Sequence, residues 1–233
     1  MPIDSISAQL AALFDAERAA RTIHADILRA HTRGGEDGGG LVSALKKEAD
    51  VARGLSSLEE RAVRLVRVAS LLGDMHGAAV VDLLIDILGD EEPEARHMAG
   101  EGLEALAYQR FKEVALGIER ALDRLPVGNP ALSELPYLIA EIPEPGAAKL
   151  LARFLRHADP EAVAAGIEAL VELGDPSVAS LLAPLEKDTR SVHLEDDEGE
   201  EGKVTIGELA TEARALLGEV EGTRAPGTGR PRA

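Results

Sequence analysis

The chain of 233 residues contains no cysteine and no tryptophan, and only 2% of it is aromatic. Without cysteine it can form no disulfide, use no thiol nucleophile and hold no Cys-ligated zinc or iron–sulfur cluster. Apolar residues make up 45% of the chain and are mainly Ala, Leu and Val. That set suits closely packed helices better than a β-sandwich built on aromatic and β-branched residues. The composition therefore predicts an all-α protein.

Long apolar runs are also missing. No stretch approaches the roughly 20 residues that span a bilayer, and the N-terminus has no basic region followed by an apolar one, as a secretory signal would. From the sequence we therefore expect a cytoplasmic protein that does not bind membranes.

Positive charge is scarce relative to negative charge. The chain carries 42 Asp and Glu against 25 Lys and Arg, a net charge of −17. Residues 1–55 are nearly balanced, so the acidic excess lies in residues 56–233. Such an excess opposes binding to nucleic acid or to anionic lipid, both of which need clustered Lys and Arg. It suits solubility, or a basic protein partner.

The dipeptide Asp-Pro occurs twice in the second half of the chain. Asp159-Pro160 and Asp175-Pro176 flank an Ala-rich apolar segment that ends at Gly174. Asp can accept a hydrogen bond from the free N–H groups of a helix start, and Pro fits the first helical position. Gly is a common C-cap. This pattern of Asp-Pro and Gly therefore predicts a helix from Pro160 to about Gly174, with a second helix after it.

The segment between these two Asp-Pro pairs belongs to a longer sequence repeat. "DEEPEARHMAGEGLEALA" upstream matches "ADPEAVAAGIEALVELG", and an apolar helix precedes each. Four helix pairs follow at intervals of about 31–34 residues, and a fixed period of helix pairs is typical of a solenoid. The first helices are predicted to start near Ala78, Phe111, Pro145 and Pro176. The second helices are predicted to start near Pro93, Pro130, Pro160 and Thr205.

These repeats resemble the HEAT family, in particular the short HEAT-like repeats of phycobilin lyases. The resemblance is carried by "LLIDILGDEEPEARHMAGEGLEALA", "LLARFLRHADPEAVAAGIEALVELGDPSVASLLAPLE" and "LATEARALLG", and it covers about residues 76–219. It implies an armadillo-like, right-handed α-α superhelix whose second helices line a concave, protein-binding side. Exposed positions implied there are Arg96, His97, Glu101, Glu104, Tyr137, Glu161, Glu168, Glu208 and Glu212. Tyr137 is either an interface anchor or a filler of the core.

The remaining segments complete the predicted organisation. Residues 1–55 are helical and are expected to cap the solenoid of residues 56–219. Residues 187–205 form a polar insertion whose acidic centre, Glu195 to Glu201, is expected to be mobile. Its residues Glu195, Asp196, Asp197 and Glu198 are candidates for contact with a basic partner. Residues 220–233 are expected to be a disordered tail.

No motif for catalysis, a cofactor or a metal appears. The glycine-rich Gly34–Gly40 lacks the Gly-Lys-Ser/Thr ending of a Walker loop, and the acidic insertion does not fit an EF-hand. Some HEAT-repeat enzymes bind iron through His-Glu pairs, but no histidine here is followed by Glu. We therefore assign no catalytic, cofactor-binding or metal-binding residues.

The sequence predicts a non-catalytic scaffold or adaptor that binds a protein partner on an acidic concave face. Two other classes stay open. One is a lyase-like enzyme, or enzyme subunit, that handles a bound prosthetic group. The other is an inhibitory or immunity-type protein that masks a basic site. The partner and the oligomeric state are not predicted.

Overall fold

A computed structural model describes residues 3–33, 40–195 and 201–224. These residues form ten α-helices and one two-stranded sheet, so the prediction of a mostly helical fold is confirmed. The helices are α1 (Ile3–Arg33), α2 (Leu41–Arg53), α3 (Leu58–Gly73), α4 (Ala78–Leu88), α5 (Pro93–Arg124), α6 (Ala131–Ala140), α7 (Ala147–Phe154), α8 (Pro160–Leu173), α9 (Ala179–Leu182) and α10 (Ile206–Arg224). The strands, β1 (Ser191–Glu195) and β2 (Glu201–Thr205), lie between α9 and α10.

Helix boundaries follow the capping residues of the sequence. The side chain of Ser57 accepts the N–H of Glu60 at the start of α3, at 3.3 Å. Asp159 accepts the N–H of Glu161 at the start of α8, at 3.0 Å. Gly174 ends α8 in the left-handed region, with φ 59°, a conformation that glycine adopts without steric cost. The caps predicted at Asp159 and Gly174 are confirmed.

Most of the predicted helix starts are also confirmed. Ala78, Pro93, Pro130, Pro145, Pro160 and Thr205 lie within two residues of an observed start. The predicted start at Phe111 directly follows a kink at Arg110, whose φ of −143° and ψ of 47° are not helical, so α5 consists of two helical segments that meet there. The exception is Pro176, which begins a 3-10 turn. The four-residue α9 follows that turn and another 3-10 turn follows α9, so the expected full helix is absent from this described segment.

The helices pack on their neighbours along the chain. α5 contacts α3, α4 and α6, and α8 contacts α6, α7 and α10. The core between them is almost entirely aliphatic, and Phe154 is its largest fully buried side chain. At one crossing, a Cβ built on Gly73 of α3 would lie 3.3 Å from the Cα of Gly102 on α5. Only residues without a side chain allow two helix backbones to approach so closely.

Arginine–aspartate pairs link α4 to the second half of α5. Arg120 donates from two nitrogens to the carboxylate of Asp82, at 2.8 and 3.0 Å. One turn further along both helices, Arg124 pairs with Asp86 at 2.5 Å. Partly exposed pairs of this kind add little stability. They do neutralise part of the acidic excess on this side of the molecule.

The polar insertion differs from its prediction. Instead of a wholly irregular segment, β1 and β2 form an antiparallel ribbon in which Val192 faces Val204. Val192 is buried, and Arg190, just before β1, donates to the carbonyl of His157 at 2.8 Å. The base of the insertion is therefore packed on the helices. Of the segment predicted to be mobile, Glu195 and Glu201 instead pair in the ribbon, and residues 196–200 lie outside the described residues.

The two ends of the described chain are both helical. α1 is one continuous helix of 31 residues. It meets the other helices through its C-terminal part, where the Nε2 of His24 lies 2.8 Å from the Oδ2 of Asp74 and Ile27 and Leu28 pack on the core. At the other end α10 extends to Arg224, so residues 220–224 are helical rather than part of a disordered tail. Residues 225–233 lie outside the described residues.

Candidate functional site

An open groove lies between the first half of α5 and α6. We call it the acidic groove, and it has a volume of about 520 Å³. It is lined by Leu88, Pro93, Arg96, His97, Gly100, Glu101, Glu104, Glu134, Tyr137, Leu138 and Glu141. Both walls come from helices predicted as second members of their pairs. The groove brings together five of the residues predicted from the sequence: Arg96, His97, Glu101, Glu104 and Tyr137.

Negative charge in the acidic groove is only partly neutralised. Arg96 forms an ion pair with Glu134 across the two helices. His97 lies 3.5 Å from Glu101 in the next turn of α5, and its side chain is 76% exposed. Glu104 and Glu141 form no ion pair with any residue that the structure describes. These two carboxylates give the groove a net negative potential.

Tyr137 occupies the α6 wall of this groove and is 40% exposed. Its hydroxyl donates a hydrogen bond to the carboxylate of Glu168 on α8. Burial of the ring, together with this hydrogen bond and the negative charges nearby, raises the pKa of Tyr137. The phenol therefore stays protonated at neutral pH. It can act as a hydrogen-bond donor and an aromatic surface, and Glu168 fixes its position.

The other predicted residues lie elsewhere. Glu161 is exposed at the start of α8, and burial of its carboxyl together with the nearby charge of Asp159 raises its pKa. Glu208 and Glu212 line a second groove at the start of α10. Glu195 ends β1, opposite Glu201. Asp196, Asp197 and Glu198 lie outside the described residues.

Glu208 has a structural task at the start of α10. Its carboxylate accepts the backbone N–H of Thr205 at 2.8 Å and the Thr205 hydroxyl at 2.7 Å. The Thr205 hydroxyl oxygen in turn accepts the N–H of Glu208 at 3.2 Å. This reciprocal arrangement is a capping box, and its hydrogen bonds lower the pKa of Glu208. Glu208 is thus engaged in helix capping.

Two acidic residues of the groove are not among those predicted from the sequence. Glu134 and Glu141 flank Tyr137 at i−3 and i+4 on α6, which places all three on one face of the helix. This spacing was the sequence signal from which the two glutamates could have been identified. It was overlooked because this repeat diverges most from the family pattern that guided the selection.

The acidic groove presents ionic and hydrogen-bonding groups to solvent. Its side chains offer carboxylate acceptors, one aromatic donor and an exposed histidine. Among the described residues, no group of three or more His, Asp or Glu side chains has the geometry to hold a metal ion. The groove is an open channel between two helices, so it can accommodate an extended or helical segment of another chain.

Comparisons with known proteins do not assign the chain to a family. No protein-family model matches the chain, and no curated protein matches its sequence. Within residues 3–33, 40–195 and 201–224, no helix has the length and apolar character needed to cross a bilayer.

Proposed function

We propose that this chain is a non-catalytic, cytoplasmic scaffold or adaptor that holds a basic segment of a protein partner in the acidic groove. The observation that carries the proposal is the juxtaposition of Tyr137 with Glu104 and Glu141, two carboxylates without an ion pair in the described residues. Lys and Arg side chains satisfy such carboxylates, and they also stack favourably on a tyrosine ring.

The proposal includes a HEAT-like, right-handed superhelix. Its support is the order of packing, since α5 contacts α6, α6 contacts α8, and α8 contacts α10. These are the helices predicted as second members of the four pairs. A continuous row of second helices would give the acidic groove neighbours on the same side, including Glu168 on α8.

The form of the groove favours a protein partner over a prosthetic group. A bound cofactor is normally enclosed by a mostly apolar cavity that buries most of its surface. The acidic groove is open, and five of its eleven lining residues carry a charge. A peptide or a helix from a partner can lie along it and leave its own outer face in water.

The test measures binding of fluorescein-labelled octalysine by fluorescence anisotropy, with a neutral Gly-Ser peptide of equal length as control. The groove variant is Glu104→Gln with Glu141→Gln. The matched variant is Glu91→Gln with Glu144→Gln, which removes the same charge from exposed positions outside the groove. We expect the groove variant to lose about fivefold in affinity, from two pairs of about 0.5 kcal/mol each, and the matched variant less than about twofold.

Equal losses in the two variants would show that octalysine responds only to net charge, which would contradict the proposed site. Salt gives a second criterion, because added salt should weaken binding through screening. A third variant, Asp196→Asn with Asp197→Asn and Glu198→Gln, tests the acidic centre of the insertion in the same assay. An affinity equal to that of the unmodified chain would remove this segment from the binding surface.

A further inference from the structure

A groove between α7 and the end of α5 carries positive charge. We call it the basic groove, and it has a volume of about 550 Å³. Its charged lining residues are Lys149, Arg153, Arg156 and Asp123. Three cations against one carboxylate give it a formal net charge of +2, in a chain whose net charge is −17. The basic groove shares no lining residue with the acidic groove.

The three cations lie on one side of α7. Lys149, Arg153 and Arg156 follow one another at intervals of four and three residues, and all three are exposed. Arg153 pairs with Glu119 of α5 at 2.8 Å. Lys149 and Arg156 form no ion pair with any residue that the structure describes. These two side chains are therefore available to an anion from outside the chain.

The floor of the basic groove is held in place by His157. Its Nε2 lies 3.1 Å from the carbonyl oxygen of Leu122, and its Nδ1 accepts the backbone N–H of Asp159 at 3.1 Å. Its own carbonyl accepts a hydrogen bond from Arg190 at 2.8 Å. One residue thus ties together the end of α5, the start of α8 and the base of the ribbon. A groove with a fixed floor loses less conformational freedom when a ligand binds.

The surroundings of the basic groove favour a short anionic segment over a long polyanion. Lys and Arg pair equally well with carboxylates and phosphates. A nucleic acid strand, however, carries a charge about every 3.4 Å, so most of its phosphates would lie against the rest of an acidic chain. An acidic peptide can place two or three carboxylates in the groove and neutral residues outside it. At physiological ionic strength, acidic side chains more than about 8 Å away repel such a peptide only weakly.

We propose that the basic groove is a docking site for an acidic segment of a protein partner, whose carboxylates pair with Lys149 and Arg156. The site uses none of the residues of the acidic groove, so it is independent of the proposed function.

The test measures binding of fluorescein-labelled octaglutamate to the full chain by fluorescence anisotropy at about 0.15 M salt. A neutral Gly-Ser peptide of equal length is the control ligand. We expect Lys149→Gln with Arg156→Gln to weaken the affinity about fivefold. The matched variant is Lys47→Gln with Arg67→Gln, which removes the same two residue types from exposed positions outside the groove. It should lose less than about twofold.

Asp123 provides a test in the opposite direction. Its carboxylate lines the basic groove and competes with an acidic ligand for the same cations. Asp123→Asn should therefore strengthen octaglutamate binding about two- to threefold. Glu91→Gln removes one negative charge from an exposed position outside the groove and should change the affinity less. Equal effects of these two substitutions would mean that the ligand binds elsewhere.

Three further outcomes would overturn the proposal. One is the absence of octaglutamate binding up to about 1 mM. Another is an equal loss of affinity in the groove variant and the matched variant, at equal thermal unfolding midpoints. The third is an oligonucleotide of eight thymidines that binds more tightly than octaglutamate and is weakened by Lys149→Gln with Arg156→Gln. In that case the basic groove would be a site for phosphates of nucleic acid.

Discussion

The carboxylate of Asp159 accepts the backbone N–H of Gly128 at 2.7 Å, across 31 residues of sequence. Its other oxygen accepts the N–H of Glu161, and the residue is 2% exposed. One side chain therefore caps α8 and also holds the turn that precedes α6. Gly128 has φ +85°, so this turn depends on glycine as well.

Replacing Asp159 by alanine should destabilise the chain by about 2 kcal/mol or more. A lost cap costs about 1 kcal/mol, and an unsatisfied buried N–H costs about 1–3 kcal/mol. The measurement is urea unfolding followed by circular dichroism. Asp175→Ala is the control because Asp175 caps an exposed turn, through the N–H of Ser177. If both variants lose the same stability, the contact with Gly128 contributes nothing.

Two glycines inside α5 should respond in opposite ways to alanine. A Cβ on Gly117 would lie 2.3 Å from the Cγ1 of Val81, a buried side chain on α4. We expect Gly117→Ala to destabilise the chain by about 1–3 kcal/mol through overpacking. At Gly100 the nearest atom, on Leu88, is 3.8 Å away, so Gly100→Ala should stabilise it by about 0.5–1 kcal/mol through helix propensity. The measurement is the thermal unfolding midpoint of each variant. A stabilised Gly117→Ala would contradict this packing of α4 on α5.

The Asp188–Arg190 pair should make stability depend on pH. The guanidinium of Arg190, 2.6 Å from Asp188, lowers the pKa of that carboxyl. A pKa lowered by folding adds stability above the ordinary value near 4, and that stability is lost as pH falls through the lower folded value. The difference in unfolding free energy between the chain and Asp188→Asn should therefore be largest at neutral pH and shrink toward pH 2.

Urea unfolding at neutral and acid pH measures this difference. Asp123→Asn serves as control, because Asp123 is exposed and forms no ion pair in the described residues. If the unfolding free energy lost in Asp188→Asn is the same at every pH, the charge of Asp188 does not stabilise the base of the ribbon.

Removing the charge of Glu168 should lower the pKa of Tyr137. The nearby carboxylate opposes formation of a second negative charge, so Glu168→Gln should shift ionisation toward the ordinary value near 10. Part of the elevation should persist, because burial of the ring is its largest cause. Tyrosinate absorbance in a Tyr108→Phe background reports on Tyr137 alone. An unchanged titration in Glu168→Gln would contradict the hydrogen bond.

Helix positions could be predicted from the sequence because their signals are local. Ser57, Asp159 and Gly174 each act within a few residues of their own position, by hydrogen bonding or by backbone conformation. The ribbon was missed because its strands are short and polar. The alternation of Val192 and Leu194 in β1 was its only strand-like signal.

The acidic groove could be predicted only in part. The positions on α5 that were predicted to be exposed include Arg96 and Glu104, and both line the groove. The contacts of Arg96 with Glu134 and of Tyr137 with Glu168 join residues 38 and 31 positions apart. Such pairs depend on how one helix lies against the next. The position of one helix relative to the next is set by packing of the core among all the helices, so no short sequence pattern reports it.

The ion pairs between α4 and the second half of α5 have a consequence for how this chain tolerates changes in length. The joints between its helices are mostly short loops, where an added residue can bulge into solvent. Between Phe111 and Arg120, within the regular helix that follows the kink at Arg110, one inserted residue would rotate everything that follows by about 100° and shift it by about 1.5 Å. Arg120 and Arg124 would then no longer face Asp82 and Asp86 on α4. This segment should therefore be less permissive to insertions than the joints between the helices.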